Sequence, residues 1–304
     1  MPIRLKASDD PVVQRLRTLV NGSPGLKAAA KFYEAVQPIL RDADLRASSI
    51  SMTPEEARKK MGNGLPLLSD LDLDLDAAAV RELMLELAEA VESVVRKDQP
   101  HKGLFWGRVS HEPDAAARRI RMALEDNSLA IPELLTYVSA GERAPVIAAA
   151  QDLQLDPDLL WTLAQNALKP ALRAWCRQLT PLAQGASWNR GTCFVCGAVA
   201  TLAELQDNDQ AKHLRCGSCG ADWAYRRLQC TYCGNEDQTT LGCLYEEDQR
   251  DTMRVEACRK CKGYLKVISS FTPTPPEMIP VEDLATLHLD FIAQERGYAR
   301  AAVQ

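Results

Sequence analysis

Apolar residues recur at three- and four-residue spacing through most of the first 185 positions. Leu26, Ala29, Phe32, Tyr33, Val36, Ile39 and Leu40 form one such row. Val80, Leu83, Met84, Leu87, Val91, Val94 and Val95 form another, between about Asp76 and Lys97, and it stops ahead of Pro100. This spacing places each row on one face of an α-helix, so both stretches are predicted to be amphipathic helices with a buried side. Thr53-Pro-Glu-Glu56 reads as a capping box, in which Thr53 accepts from an orphan amide and Glu56 reaches back. Further helical patterns occupy about 114–126, 130–139, 142–151 and 157–179, punctuated by Pro113, Pro132, Pro145, Pro157 and Pro170. Strand-like alternation is scarce here. The expectation for residues 1–185 is an all-α domain of six to eight helices.

The pattern changes after residue 185. Short β-like runs alternate with CxxC pairs, and the region ends in FTPTPP (271–276), whose prolines favour an extended linker. A last amphipathic helix is predicted over about Val281 to Glu295, presenting Leu284, Leu287, His288, Phe291 and Ile292 on one side.

Laid over itself, the cysteine region repeats. The first copy opens with CFVCG (193–197), runs through 198–205 to the acidic turn QDNDQ (206–210), and continues with KHLR (212–215) into CGSCG (216–220) and DWAYRRL (222–228). The second opens with CTYCG (230–234), runs through 239–245 to EEDQRD (246–251), and continues with MRVEA (253–257) into CRKC (258–261) and GYLKVIS (263–269). Each copy reads knuckle, strand, acidic turn, strand, knuckle, strand. Two thiolates separated by two residues reach one metal from a single tight turn, and a second knuckle completes a tetrahedron. The expected ligands are therefore Cys193, Cys196, Cys216 and Cys219 on one metal, and Cys230, Cys233, Cys258 and Cys261 on a second. Two other pairings remain open. Cys216, Cys219, Cys230 and Cys233 could share one metal, with the outer pairs on the other, or the first and third knuckles could cross over. Both break the repeat. Gly197, Gly220 and Gly234 follow their second cysteines, where a left-handed backbone turns the next amides toward sulfur; the fourth knuckle has Lys262 there, with Gly263 next.

The predicted organisation is thus multidomain, α plus small β. An all-α domain (1–185) is followed by a first (186–228) and a second (229–272) zinc-ribbon or rubredoxin-like module, then a Pro-rich linker and C-terminal helix (273–304). Trp223 and Tyr225 share a strand face by alternation and are expected to pack between the modules.

Composition narrows the function. Eight of the ten cysteines sit in the four CxxC pairs, a usage that fits metal ligation in a reducing compartment better than a disulfide scaffold. The start of the chain lacks an apolar signal region, and no stretch approaches the length of a membrane span, so a cytoplasmic protein without membrane insertion is expected. Net charge is −5. Residues 191–270 carry ten Lys/Arg against eleven Asp/Glu, and a divalent metal on four thiolates adds about two negative charges, so nucleic acid is not the expected partner. Ligand type does not choose between zinc and iron. A closed tetrathiolate leaves no open position for hydrolysis. No phosphate loop, dinucleotide fingerprint or catalytic triad appears, so no catalytic or cofactor-binding residue is assigned.

Weaker candidates take structural readings. Cys176 and Cys243 are expected to be small buried residues, and His213 is not needed beside four sulfurs. The aromatic and basic segment 101–111 reads as a core-edge loop, and the acids of DLDLDLD (70–76) as a solvated helix lead-in.

In combination, SWNRGTCFVCG (187–197), LRCGSCGADW (214–223), CTYCGN (230–235), RVEACRKCKGYLK (254–266) and DLATLHLDFIAQERGYA (283–299) resemble the FdhE family of formate dehydrogenase accessory proteins. The helical half fits more loosely, through LFWG (104–107). The resemblance implies a cytoplasmic biogenesis factor rather than an enzyme. It implies binding to the immature catalytic subunit of respiratory formate dehydrogenase, and two iron or zinc ions per chain held by the eight cysteines above. It also allows a homo-oligomer. A rubredoxin-like electron carrier with two iron–tetrathiolate centres is the alternative.

Overall fold

The computed structural model describes residues 10–43, 48–71, 75–97 and 113–300. The described residues fall into two compact units, one drawn from 1–48 and 74–171, the other from 49–73 and 172–303. The helices in order are α1 (Pro11–Gly22), α2 (Lys27–Asp42), α3 (Pro54–Gly62), α4 (Ala77–Lys97), α5 (Pro113–Glu125), α6 (Ile131–Ala140), α7 (Arg143–Asp152) and α8 (Pro157–Leu179). The segment 101–111, LFWG included, lies outside the described residues, as do three positions of the acidic run.

In the helical unit α4 packs on α5; Val80, Leu83, Met84, Leu87 and Val91 are buried on α4, and Ala116, Ala117, Ile120 and Leu124 on α5. Glu92, buried on α4, accepts from Arg118 and Arg121 at 3.3 and 3.4 Å. On α2 the buried residues are Ala29, Ala30, Val36, Gln37 and Leu40, whereas Phe32, Tyr33 and Ile39 are half-buried. Helix α1 carries no sequence prediction. It starts where Asp10 accepts from the amide of Val12, with Pro11 in the first turn, and it buries Val12, Val13 and Leu16. Asp76 likewise caps α4, accepting from the amides of Ala78 and Ala79 at 2.9 and 3.2 Å. Pro170 lies inside α8, which runs on through it.

The second unit is built on one six-stranded sheet. Its strands are β1 (Leu202–Gln206), β2 (Ala211–Arg215), β3 (Asp222–Ala224), β4 (Leu241–Leu244), β5 (Met253–Cys258) and β6 (Tyr264–Ser270), in the order β3-β2-β1-β6-β5-β4. Each triplet is an antiparallel meander, and the two join where β1 pairs with β6 in parallel, Ala203 opposite Val267. The repeat in the sequence is therefore a repeat in space: the same three-stranded unit occurs twice across one sheet. The fold class read from the sequence is the one the chain adopts.

One sheet face is covered by α9 (Ile279–Ala285) and α10 (Leu287–Glu295). Val255, Ala257 and Tyr264 pack there with Leu289 and Ala293. Lys266, fully buried, is held by Asp290 at 2.6 Å and by Asp283 at 2.8 Å, and Tyr264 donates to Asp290 at 2.6 Å. These bonds satisfy charges that would otherwise be costly to bury. The single C-terminal helix expected over 281–295 is in fact two. Thr286 breaks it, turning its hydroxyl back to the carbonyl of Glu282 at 2.8 Å. The break changes the helical phase: Leu289, Asp290 and Ala293 face inward, and Phe291 is exposed.

Residues 49–71 belong to this second unit. Helix α3 has the predicted capping box, Glu56 N–H to Thr53 Oγ1 at 3.2 Å and Thr53 N–H to Glu56 at 2.7 Å. The strap after it meets the first knuckle: Leu67 and Leu68 donate their amides to the carbonyls of Phe194 and Val195 at 2.8 and 2.9 Å.

Candidate metal centres

All four knuckles share one backbone design. The carbonyl of each leading cysteine accepts from the amide four residues on, at 2.9–3.0 Å: Gly197 to Cys193, Gly220 to Cys216, Gly234 to Cys230 and Lys262 to Cys258. The leading amides of Cys193, Cys216, Cys230 and Cys258 donate onward to Ala198, Ala221, Asn235 and Gly263. The turn needs a left-handed residue. Gly197, Gly220 and Gly234 supply it at φ 78°, 82° and 67°, and Lys262 adopts the same region at 59°. Amides then point at sulfur, Val195 to Cys193 Sγ and Gly263 to Cys261 Sγ at 3.4 Å.

The knuckles meet within the modules, first with second and third with fourth. Cys193, Cys196, Cys216 and Cys219 form one group and Cys230, Cys233, Cys258 and Cys261 the other, each with all sulfurs within 4.8 Å. The shared site 216/219/230/233 and the crossed arrangement are not the groupings found. Sulfur separations are 3.5 Å for Cys193–Cys219 and Cys196–Cys216, 3.7 Å for Cys230–Cys261 and 3.8 Å for Cys233–Cys258. A tetrahedron with metal–sulfur bonds of about 2.3 Å has edges of roughly 3.8 Å, whereas a disulfide brings sulfurs to about 2.05 Å. The donor sets fit a tetrahedral divalent metal, zinc or iron.

Electrostatics favour the same occupant. Burial pushes the Cys193 thiol well up, whereas hydrogen bonds from Cys193, Cys196 and Cys219 draw Cys216 well down. In the second group burial raises Cys230 to about 12, and Cys258, against the effect of its own burial, is held at about 7 by the amides of Cys261 and Lys260. Four sulfurs this close cannot all ionise by themselves; a bound dication would hold them all as thiolates.

The two groups differ in exposure. Cys193, Cys216 and Cys219 are buried and Cys196 half-buried, whereas Cys233 and Cys261 are exposed beside buried Cys230 and Cys258. The first group also has close neighbours on α8. The Cys176 thiol, hydrogen-bonded to Thr180 Oγ1 at 3.6 Å, lies near Cys219, and Arg173, its Nε buried, feels the charge of the Cys219 sulfur. No local motif marks this approach, because α8 and Cys219 are far apart in sequence. Cys176 is buried as expected. Cys243 is not: β4 is an edge strand, and its thiol is exposed. His213 is hydrogen-bonded to Asp222 and belongs to neither sulfur group.

The modules interlock along the opposite sheet face. Trp223 donates its indole N–H to the carbonyl of Arg190 at 3.0 Å and meets Phe194 edge-on at 6.4 Å. Tyr225 reaches across and donates to the carbonyl of Cys230. Lys212, buried, pairs with Glu256 of the second module at 2.6 Å. Of the two aromatics expected between the modules, Tyr225 makes the crossing and Trp223 seals the first module.

Comparison with known proteins agrees with this geometry. Residues 228–304 match the family model described as FdhE, C-terminal domain. The chain is 32% identical over 116 residues to a protein FdhE homolog of Aquifex aeolicus, covering 37% of this chain and 40% of that one. It is 34% identical over 114 residues to a protein FdhE homolog of Haemophilus influenzae, covering 36% of each. These matches thus span about two fifths or less of those relatives' length. The crystal structure of the FdhE protein from Pseudomonas aeruginosa superposes with a TM-score of 0.56 at 22% identity, covering 96% of this chain and 92% of that one. The fold is shared over nearly the whole chain, and the resemblance to the FdhE family read from the cysteine motifs stands.

Proposed function

We propose that this FdhE-like chain is a non-catalytic accessory protein for the assembly of respiratory formate dehydrogenase, which binds the immature catalytic subunit in the cytoplasm. The observation that carries the reading is the pair of closed tetrathiolate groups within a fold shared with FdhE. Bound metals would fix the four knuckles, and with them the surface made by the knuckles and the strap at Leu67 and Leu68. The eight cysteines named above would be the ligands. A closed tetrahedron offers no position for substrate, which suits docking better than hydrolysis. Among the described residues no helix is long and apolar enough to cross a membrane.

A second reading, electron transfer through two iron–tetrathiolate centres, draws on the exposed Cys233 and Cys261, which bring the second group to the surface. One experiment separates the two. The tagged chain is purified anaerobically from formate-respiring cells, and the eluate is analysed for co-purifying protein, metal and visible absorption. Co-purification of the formate dehydrogenase catalytic subunit supports the accessory role. Its absence, with two irons and charge-transfer bands, favours the carrier.

A further inference from the structure

The two modules are built alike, and one difference between them leaves a cavity. In the first module Trp223, four residues after Cys219, fills the space between the sheet and residues 190–194. Phe194, directly after Cys193, closes that space against the indole. The equivalent positions in the second module, counted from Cys261 and Cys230, are Leu265 and Thr231. Both are smaller. Strand register confirms the equivalence: Trp223 lies opposite Leu214, two before Cys216, and Leu265 lies opposite Glu256, two before Cys258. Beside these smaller residues the second module has a cavity of about 310 Å³. Arg227, Thr231, Cys243, Arg254, Glu256 and Leu265 are among the residues that line it.

The walls also show which groups are in want of a partner. Glu256 is already matched, by Lys212 at 2.6 Å and by Arg254 at 3.2 Å. Arg254 Nε and Gln229 Oε1 are buried in the wall without a hydrogen-bond partner. With Arg227 at the rim, cationic donors outnumber carboxylates. A buried donor left unmatched is costly, and a ligand that meets it removes that cost. The volume lies at the low end for a ligand site, the size of one large side chain with room beside it. The cavity also lies next to buried Cys230 and Cys258, on the module whose other two cysteines, Cys233 and Cys261, are exposed.

We propose that this cavity is a socket for an aromatic side chain of a partner polypeptide, with an acidic neighbour meeting Arg254 and Arg227. The first module shows the complement, since an indole already occupies the equivalent space there. The inference rests on the accessory reading only for which partner supplies the residue. In that reading the aromatic anchor is a hot spot beside the second metal centre.

The test has two arms. Holo full-length chain is titrated with N-acetyl-Asp-Trp-amide and N-acetyl-tryptophanamide and followed by ligand-observed NMR. Leu265→Trp and Thr231→Phe, each filling the socket as the first module does, serve as variants, with two metals per chain as the check on folding. Binding of both probes is expected, tighter for the acidic one, and at least tenfold weaker in either filled variant. Arg254→Gln should remove the advantage of the acidic probe. No binding to the wild-type chain, or equal binding to the filled variants, overturns the socket. In the second arm the same proteins are used to capture the formate dehydrogenase catalytic subunit. Capture by wild type but not by the metal-loaded filled variants supports the socket as its anchor, and equal capture overturns it. If wild type captures nothing, the accessory reading fails, and the probe titration alone decides the socket.

Discussion

The hydroxyl of Tyr225, at the end of the first module, donates to the backbone carbonyl of Cys230, the first sulfur residue of the second, at 3.1 Å. Burial raises its phenol to about 12, so it remains a donor across the physiological range. Tyr225→Phe removes one of the two hydrogen bonds to that carbonyl and leaves the one from the Gly234 amide, at a cost of about 0.5–1.5 kcal/mol. The expected result is faster metal release from the second group, with the first unchanged, read by a chromogenic chelator. Equal release from both groups would show that the bond does not couple the modules.

Gly191 shows how tightly the modules abut. A Cβ built there would lie 1.8 Å from the carbonyl oxygen of Thr231. Backbone has to move to admit it, so Gly191→Ala should destabilise by about 1–3 kcal/mol, as overpacking does. At Gly242, on the edge strand, an added Cβ meets nothing within 4 Å. Gly242→Ala should be neutral or slightly stabilising. Denaturant titration of the holo variants compares the two.

His213 and Asp222 set a pH window. The hydrogen bond to Asp222 raises the His213 pKa. Asp222, although burial pushes it up, is held below its usual value by its bonds to His213 and Gln206. The His213 contribution is therefore complete below about pH 6.5, its unfolded value, and fades as pH rises through the raised folded value. The Asp222 contribution is complete above about pH 3.9 and is lost on acidification through the depressed value. Imidazole NMR should find His213 titrating above about 6.5, and His213→Gln should remove the alkaline decline. A value at or below about 6.5 would contradict the pairing.

Exposure predicts an order of metal loss. Cys233 and Cys261 are open to solvent, whereas three of the first group's four sulfurs are buried. A competing chelator should withdraw one metal per chain quickly, from the second group, and the other slowly. Alkylation mapped by mass spectrometry should mark Cys233 and Cys261 first. A single-phase release would show that the groups do not differ.

The sequence carried much of this fold because its signals are local. Helical spacing places α2 and α4–α8 to within a few residues, and the CxxC turns with their glycines locate the knuckles. Even Lys262, which lacks the glycine signal, follows the repeat into the left-handed region. What the sequence did not show depends on distance. The strap at Leu67 and Leu68 reaches the first knuckle across more than a hundred residues, and Cys176 reaches Cys219 from α8. The break at Thr286 turns on a side-chain hydroxyl that competes with the helix, which an apolar period cannot reveal. Cys243 looked buried because it sits mid-strand, but that strand has only one neighbour.

The central proposal is that the eight cysteines hold two separate metals, one per module, on a chain that serves as a docking protein. The most direct measurement is the metal-to-chain ratio of the purified protein and of two double variants, Cys216→Ala with Cys219→Ala and Cys258→Ala with Cys261→Ala. Two metals in the wild type and one in each variant are expected. Loss of the second module's metal should also abolish capture of the formate dehydrogenase subunit. One metal in the wild type, or an unchanged ratio in either variant, would contradict the account.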